Sequence, residues 1–204
     1  TNGEGGVRIY LFYENFSLIP FALPSLPEQK RIASFFTVLD KKISELKQKK
    51  NLLEQYKKGV MQKLFSQELR FKPVPNETSG DENGKEFPKW EKKTLGEITE
   101  SISSGKSKIN DSIGEYPLYG STGIIGYSSV FEYSGKNILI ARVGANAGTL
   151  YKVEGNYSVT DNTLILKLSK IIEPDFMFYL LLNWNLNQLV FGSGQPLITG
   201  GQLK

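Results

Sequence analysis

The clearest pattern in the chain is a heptad repeat of apolar residues in its first third. Every seventh residue from Ile32 to Val60 is apolar, and further apolar residues follow three or four positions after several of these. Such spacing predicts one long helix whose apolar seam packs against a second helix. The predicted pairing interface comprises Ile32, Phe36, Leu39, Ile43, Leu46, Leu53, Tyr56, Val60 and Leu64.

The start of this helix is marked by prolines and by a capping pattern. Pro20, Pro24 and Pro27 exclude regular strand pairing, and Ser25 followed by Glu28 fits a capping box. We predict a helix from about Leu26 to about Gln67, which is about 60 Å long at 1.5 Å per residue. We therefore assign 27–68 to a spacer helix.

The segments on either side of the helix have different compositions. Residues 6–13, GVRIYLFY, read as a β-strand, and Phe16 to Phe21 as a second short extended piece, so 1–26 form a tail. Residues 69–88 are rich in proline, glycine and polar residues and form a predicted linker. A compact domain is predicted over 89–204.

Short apolar runs and glycine turns predict an α+β fold for this domain. We expect a helix at 174–187, a closing glycine-rich loop, and loops at GSTGIIGYSS and VGANAG. The predicted strands of the mixed or antiparallel sheet lie near 116–119, 130–133, 137–143, 148–153 and 163–168.

The composition excludes several kinds of chemistry. The chain contains no cysteine and no histidine, which argues against thiol catalysis, disulfides and cysteine-ligated zinc, and fits a cytoplasmic protein. The sequence contains no run of about 18 apolar residues, the length that would predict a membrane span. We expect no cofactor and no metal. Neither a P-loop nor a glycine motif with nucleotide-binding spacing is present, so we predict that the chain is not an enzyme.

Positive charge is concentrated on the predicted helix. Residues 27–70 carry eleven Lys and Arg against five Asp and Glu, whereas 89–204 carry eleven against ten. A solvated coiled-coil surface explains this excess, and so does a surface that faces DNA phosphates or an acidic partner protein. The sequence does not separate these alternatives.

A longer motif adds a family resemblance. The stretch LPSLPEQKRIASFFTVLDKKI, continued by KKGVMQKLFSQELRFK and then PKWEKKTLGEI, resembles the specificity subunit of Type I restriction-modification systems. The family's subunit usually has two target recognition domains, each followed by a helix, and the two helices pair antiparallel. The resemblance implies a non-catalytic subunit that binds a bipartite sequence in double-stranded DNA. Methyltransferase subunits, and indirectly the restriction subunit, are the implied protein partners.

The chain departs from that pattern, since it has one helix, one target recognition domain and a tail like the closing part of another. The piece expected after Lys204 is of the kind found at 5–26. We therefore expect either two chains that complete each other's domains in an antiparallel homodimer, or a segment of a longer subunit that supplies the second half.

DNA reading requires hydrogen-bonding groups at base edges and cations at phosphates. Arg142 and Gln195 are the preferred base readers, although a strand-end salt bridge and a turn-stabilising amide are the alternatives. Lys106 and Lys108 are candidate phosphate contacts. The full candidate set is Lys106, Lys108, Tyr119, Ser121, Thr122, Arg142, Asn146, Asn162, Gln195, Thr199 and Gln202.

A second class of function stays open from the sequence. A dimeric coiled-coil adaptor, with an α+β domain that binds protein or carbohydrate, would show the same rod and the same loops. A steep salt dependence and a base-sequence preference would separate a DNA reader from such an adaptor, because only phosphate contacts release counterions.

Overall fold

A computed structural model describes residues 12–73, 86–108, 114–192 and 194–204 of the chain, apart from the side chain of residue 15. The chain divides into two compact units, Thr1–Tyr56 and Lys57–Lys204. The strand predicted at 6–13 lies almost wholly outside the described residues, and so does most of the predicted linker.

The described part of the tail is helical where an extended piece was predicted. Helix α1 spans Tyr13–Ser17, and Leu18 at its C-cap is also in the right-handed helical region. The prediction of extended chain from Phe16 is therefore wrong at its first residues. The short helix is closed by the Ser17 hydroxyl, which donates to the Glu14 carbonyl at 3.1 Å.

The long helix has the predicted position. Helix α2 spans Leu26–Phe65 and contains 40 residues, so it begins where the prolines indicate and ends two residues before the predicted end. The positive φ of 63° at Gln67 is incompatible with continuing the helix, which explains the earlier stop. No residue of α2 is buried, so its apolar seam is exposed along the first unit.

The second unit contains two four-stranded sheets. The first has the order β1-β8-β5-β6 and is antiparallel, and the second has the order β3-β2-β7-β4 with one parallel pair, β2 with β7. The strands in chain order are β1 Thr99–Ser104, β2 Tyr116–Gly120, β3 Gly123–Ser128, β4 Tyr133–Ser134, β5 Asn137–Ala141, β6 Leu150–Val153, β7 Asn156–Val159 and β8 Thr163–Leu168.

The core lies on both faces of the first sheet. Strand β5 reads NILIA and every residue in it is buried, as expected for a continuous apolar run in a central strand. Ile138 and Ile140 belong to the cluster that includes Met177 of the last helix, whereas Leu139 packs in a second cluster with Tyr157. Successive side chains of β5 point to opposite faces of the sheet. One face therefore packs with the last helix and the other with the second sheet.

Helix α3 spans Pro174–Trp184, with Glu173 as its N-cap, whose carboxylate accepts from Phe176 N at 2.6 Å. The predicted helix was three residues longer. Asn185 adopts φ 63°, which ends the α-helix, and a 3-10 turn follows at Leu186–Leu189. None of the described helices is both long and apolar enough to cross a bilayer.

Three strands were not predicted. The loop expected over GSTGIIGYSS contains β3, and the polar segments TESISS and NYSV form β1 and β7. Their glycines, glutamate and asparagine have weak strand propensity, so pairing with neighbouring strands decides their structure. The strand expected at 130–133 is reduced to the two residues of β4.

Candidate functional site

An open groove of ≈ 590 Å³ lies where three loops of the second unit meet. The loop after β1, the turn between β2 and β3, and the turn after β7 form its walls, and Val143 contributes from the segment after β5. The lining residues are Lys106, Ser107, Lys108, Gly120, Ser121, Thr122, Ile125, Val143, Thr160, Asp161 and Asn162.

The first wall is the basic loop that follows β1. Its backbone is fixed because Gly105 N donates to Thr163 O at 3.0 Å and Ser107 N donates to Val159 O at 2.9 Å. The Ser107 hydroxyl accepts from Val159 N at 3.0 Å and donates to the carboxylate of Glu132. These bonds hold the loop so that the side chains of Lys106 and Lys108 stay exposed.

The second wall is the tight turn between β2 and β3. Gly123 adopts φ +93°, a conformation that glycine reaches without strain. The Ser121 hydroxyl donates to the Asn162 carbonyl at 2.7 Å, and the Tyr151 hydroxyl donates to the Ser121 carbonyl at 2.9 Å. This turn is thereby tied to the third wall and to the first sheet, with Thr122 exposed at its tip.

The third wall is the turn from Thr160 to Asn162, whose carbonyls are all engaged. Thr163 N donates to Thr160 O at 3.2 Å, and Arg142 donates through Nη1 to Asp161 O at 3.2 Å. The carbonyl of Asn162 accepts from Arg142 N at 2.9 Å and from Ser121. The backbone of the turn is therefore rigid, while the side chains of Asp161 and Asn162 are exposed.

The groove combines two cations and one carboxylate. Lys106 and Lys108 share the lining with Asp161, and none of the ion pairs found in the described part of the chain involves any of the three. Unpaired lysines on a fixed loop suit contact with phosphate oxygens. A carboxylate repels phosphate and accepts hydrogen bonds from neutral donors.

Three tyrosines pack together in the second apolar cluster. Burial raises the pKa of Tyr119, and burial followed by the nearby Glu132 carboxylate raises the pKa of Tyr133. Burial also raises the pKa of Tyr157, although Asn137 Nδ2 donates to its hydroxyl at 2.7 Å and favours the ionised form. These phenols consequently remain neutral at physiological pH. Tyr119 meets Tyr157 edge to face at 5.9 Å between ring centroids.

The structure brings part of the predicted set together. Arg142 lies beside the groove through its bonds to the third wall, and its role in base reading stays a prediction. Tyr119 is half-buried and packs against the second cluster instead of lining the groove. The predicted residues that do line the groove are Lys106, Lys108, Ser121, Thr122 and Asn162.

Four further predicted residues, besides Tyr119 and Arg142, lie outside the lining. Asn146 is exposed in the turn after β5, where its carbonyl accepts from Thr149 N at 2.9 Å, and Gln195 is exposed in the closing loop. Gln202 Oε1 accepts from the Thr199 amide and hydroxyl at 2.8 and 2.9 Å. The side-chain amide of Gln202 donates through Nε2 to Leu189 O at 3.0 Å. Thr199 and Gln202 therefore stabilise a local turn.

Ser107, Thr160 and Asp161 line the groove although they are not among the predicted DNA contacts. Ser107 lies between the two predicted lysines, and Thr160 and Asp161 directly precede Asn162. In the sequence, these three residues are indicated just by their position next to predicted DNA contacts. The signal was weak because only the tertiary hydrogen bonds show that these segments face one groove. Among the described residues, no group of His, Cys, Asp or Glu side chains could hold a metal ion.

Comparisons with known proteins agree on one group. The family described as Type I restriction modification DNA specificity domain matches residues 2–55 and 88–204. The specificity subunit of the Type I restriction enzyme EcoprrI from Escherichia coli is 30% identical over 119 residues, which cover 55% of this chain and 30% of that protein.

A solved structure shares the fold. The crystal structure of the S subunit of the Type-I restriction-modification system from M. genitalium matches with a TM-score of 0.51 and 17% identity. The match covers 66% of this chain and 36% of that one. The chain thus spans well under half the length of either relative.

Proposed function

The chain belongs to the Type I restriction modification DNA specificity domain family, and from this membership we propose that it is a non-catalytic subunit that binds double-stranded DNA sequence-specifically. The groove of the second unit is the proposed contact surface. Lys106 and Lys108 contact phosphates, and Ser121, Thr122 and Asn162 reach base edges.

One observation carries this proposal beyond family membership. Five residues selected from sequence as DNA contacts, on three separate loops, line the same groove. The backbone of each loop is fixed by hydrogen bonds, so the positions from which these side chains extend are set before a ligand arrives. A preorganised surface of this kind suits direct readout of a duplex, where geometry determines which base is accepted.

The lysine pair provides the first test. We expect the double variant Lys106→Ala/Lys108→Ala to bind a duplex about 50-fold more weakly at ~0.1 M salt, because two phosphate contacts and their released counterions are lost. The slope of log K against log salt concentration should fall by about 2. Fluorescence anisotropy across a salt series measures both quantities.

Lys92→Ala is the matched control for that test. Lys92 is exposed and does not line the groove, so its removal should leave the salt slope of the duplex unchanged within about 0.5 of wild type. A double variant with the wild-type slope would place the phosphate contacts elsewhere. Wild-type binding that ignores both salt and base sequence would instead favour the adaptor function.

We further propose that α2 pairs antiparallel with the same helix of a second copy, or with a second half of a longer subunit. The support is the exposure of the seam: Ile32, Leu39 and Ile43 are 44 to 45% exposed although they are apolar. A continuous apolar seam of this length is unfavourable in water without a partner helix. Two domains at opposite ends of such a pair would read a bipartite target, and a homodimer would read an interrupted palindrome.

Spin labels test the helix orientation. Because the chain has no cysteine, Ser34→Cys and Gln48→Cys each give a single labelled site away from the seam. In an antiparallel pair centred near residue 48, labels at 34 lie about 40 Å apart and labels at 48 lie close together. A parallel pair gives short distances for both variants, and a chain without any intermolecular distance at micromolar concentration contradicts pairing.

We also propose that the paired helices position methyltransferase subunits, and through them the restriction subunit, on the bound DNA. The support is family membership together with the exposed basic side chains of α2, among which Lys41 and Lys49 form no ion pair with the described residues. The chain itself then supplies recognition, and the partner subunits supply the reaction.

A further inference from the structure

Asp161 is the one acidic residue in the lining of a groove that is otherwise basic or neutral among the described residues. A carboxylate at this position opposes the binding of any duplex, because it repels phosphate groups that the two lysines attract. The presence of the carboxylate is explained if it forms a favourable contact with one particular base. The inference developed from this point rests on the proposed DNA-binding function of the groove.

The side chain of Asp161 is available for such a contact. It is exposed, and its carboxylate takes part in none of the hydrogen bonds or ion pairs of the described residues. The bond from Arg142 Nη1 reaches the main-chain carbonyl of Asp161 instead of the carboxylate. Both carboxylate oxygens therefore retain their full capacity to accept hydrogen bonds.

The backbone that carries Asp161 is held in one conformation. The carbonyls of residues 160, 161 and 162 each accept a hydrogen bond from within the domain, and Thr160 N donates to Tyr119 O at 2.9 Å. An aspartate side chain has only two rotatable bonds, so this anchoring restricts the space that its oxygens can reach. Fixed acceptors of this kind give base discrimination without a large entropy cost on binding.

Thr160, the residue that precedes Asp161, also carries a polar group. The hydroxyl of Thr160 is buried, lines the same groove and has no hydrogen-bond partner among the described residues. A buried hydroxyl without a partner is uncommon. Because this hydroxyl is itself not exposed, a ligand in the groove meets the exposed carboxylate of Asp161 and not the hydroxyl of Thr160.

We propose that Asp161 is a specificity-determining residue that accepts a hydrogen bond from the N4 amino group of a cytosine in the DNA major groove. Aspartate and glutamate favour this base because cytosine presents an amino donor at that edge and no acceptor that the carboxylate would repel. Asp161 thus adds selectivity and lowers the affinity for duplexes that lack the cytosine.

The experiment uses the full chain, random duplexes carried through rounds of binding selection, and the variants Asp161→Ala and Asp161→Asn. Wild type should enrich cytosine at one position. Asp161→Ala should lose the preference at that position alone, by about tenfold, while its affinity for unrelated duplexes rises because a negative charge leaves the groove. Asp161→Asn should shift the preferred base toward adenine, which an amide binds in bidentate fashion.

Glu115→Gln is the control, since it removes the same charge from an exposed residue outside the groove lining. It should leave the base preferences unchanged. Variants of Asp161 that bind more tightly to all duplexes, with every base preference retained, would overturn the inference and identify a solvated carboxylate. A wild-type enrichment of adenine that Asp161→Ala abolishes would overturn the assignment of cytosine. Absence of any enrichment by wild type would overturn the proposed function as well.

Discussion

Replacing Leu46 with glutamate is expected to weaken helix pairing by at least about 100-fold in dissociation constant. Leu46 occupies the centre of the apolar seam of α2 and is 55% exposed in the single chain. Pairing would bury two such carboxylates per complex, each without a partner, at a cost of several kcal/mol. Since each 1.4 kcal/mol is a factor of ten, a dimer at micromolar concentration should become a monomer in sedimentation equilibrium.

The matched control is Gln48→Glu, which adds the same charge two residues away from the seam position. This variant should sediment as wild type does, because Gln48 lies on the outer face of the pairing pattern. Far-ultraviolet circular dichroism adds a second readout: monomeric Leu46→Glu should lose helix signal, since an amphipathic helix depends on packing of its apolar face. A Leu46→Glu variant with wild-type mass and helicity would contradict the assigned seam.

Substitution of Gly105 by alanine is expected to cost about 3 kcal/mol of unfolding free energy. An added Cβ would lie 2.1 Å from the carbonyl oxygen of Val159 and 2.5 Å from that of Thr160. Both obstacles are backbone atoms in the turn and strand that hold the groove, so neither moves as a side-chain end would, and overpacking of this kind costs about 1–3 kcal/mol or more. Urea denaturation should show a lower midpoint with an unchanged m-value.

Gly126→Ala provides the comparison within the same unit. Gly126 lies in β3, and nothing occupies the 4 Å around the position of an added Cβ. Its substitution should change the unfolding free energy by less than about 1 kcal/mol. A Gly105→Ala variant as stable as the Gly126→Ala variant would mean that the basic loop is not packed against Val159 as described.

Periodicity predicted the long helix well because the features that indicate the helix lie within the helical segment itself. The heptad from Ile32 and the proline entry are both sequence features, and α2 begins at Leu26 as they indicate. Strand β5 was also predictable, since its short apolar run is rich in β-branched residues and is bounded by glycines, which favours a buried strand over a helix. The resemblance to specificity subunits, made on the proline entry and the helix, is confirmed by the family match.

The structure of the groove was only partly predictable, because it depends on contacts between distant residues. Lys106 and Asn162 were selected for their chemistry, but their convergence depends on the bond from Gly105 N to Thr163 O. Strand β7 escaped prediction although Tyr157 is fully buried in it. Four residues of mixed polarity carry too little pattern, and the strand exists because β2 and β4 pair with it.

The anchoring of the turn after β7 has a consequence for how recognition could change over generations. Arg142 and Ser121 hold main-chain carbonyls, so the two side chains at 161 and 162 are not required for the scaffold. If the groove reads DNA as proposed, a single codon change at either position would alter the preferred target while leaving the folded domain intact. New sequence specificities could arise in such a lineage by point mutation, without passing through unstable intermediates.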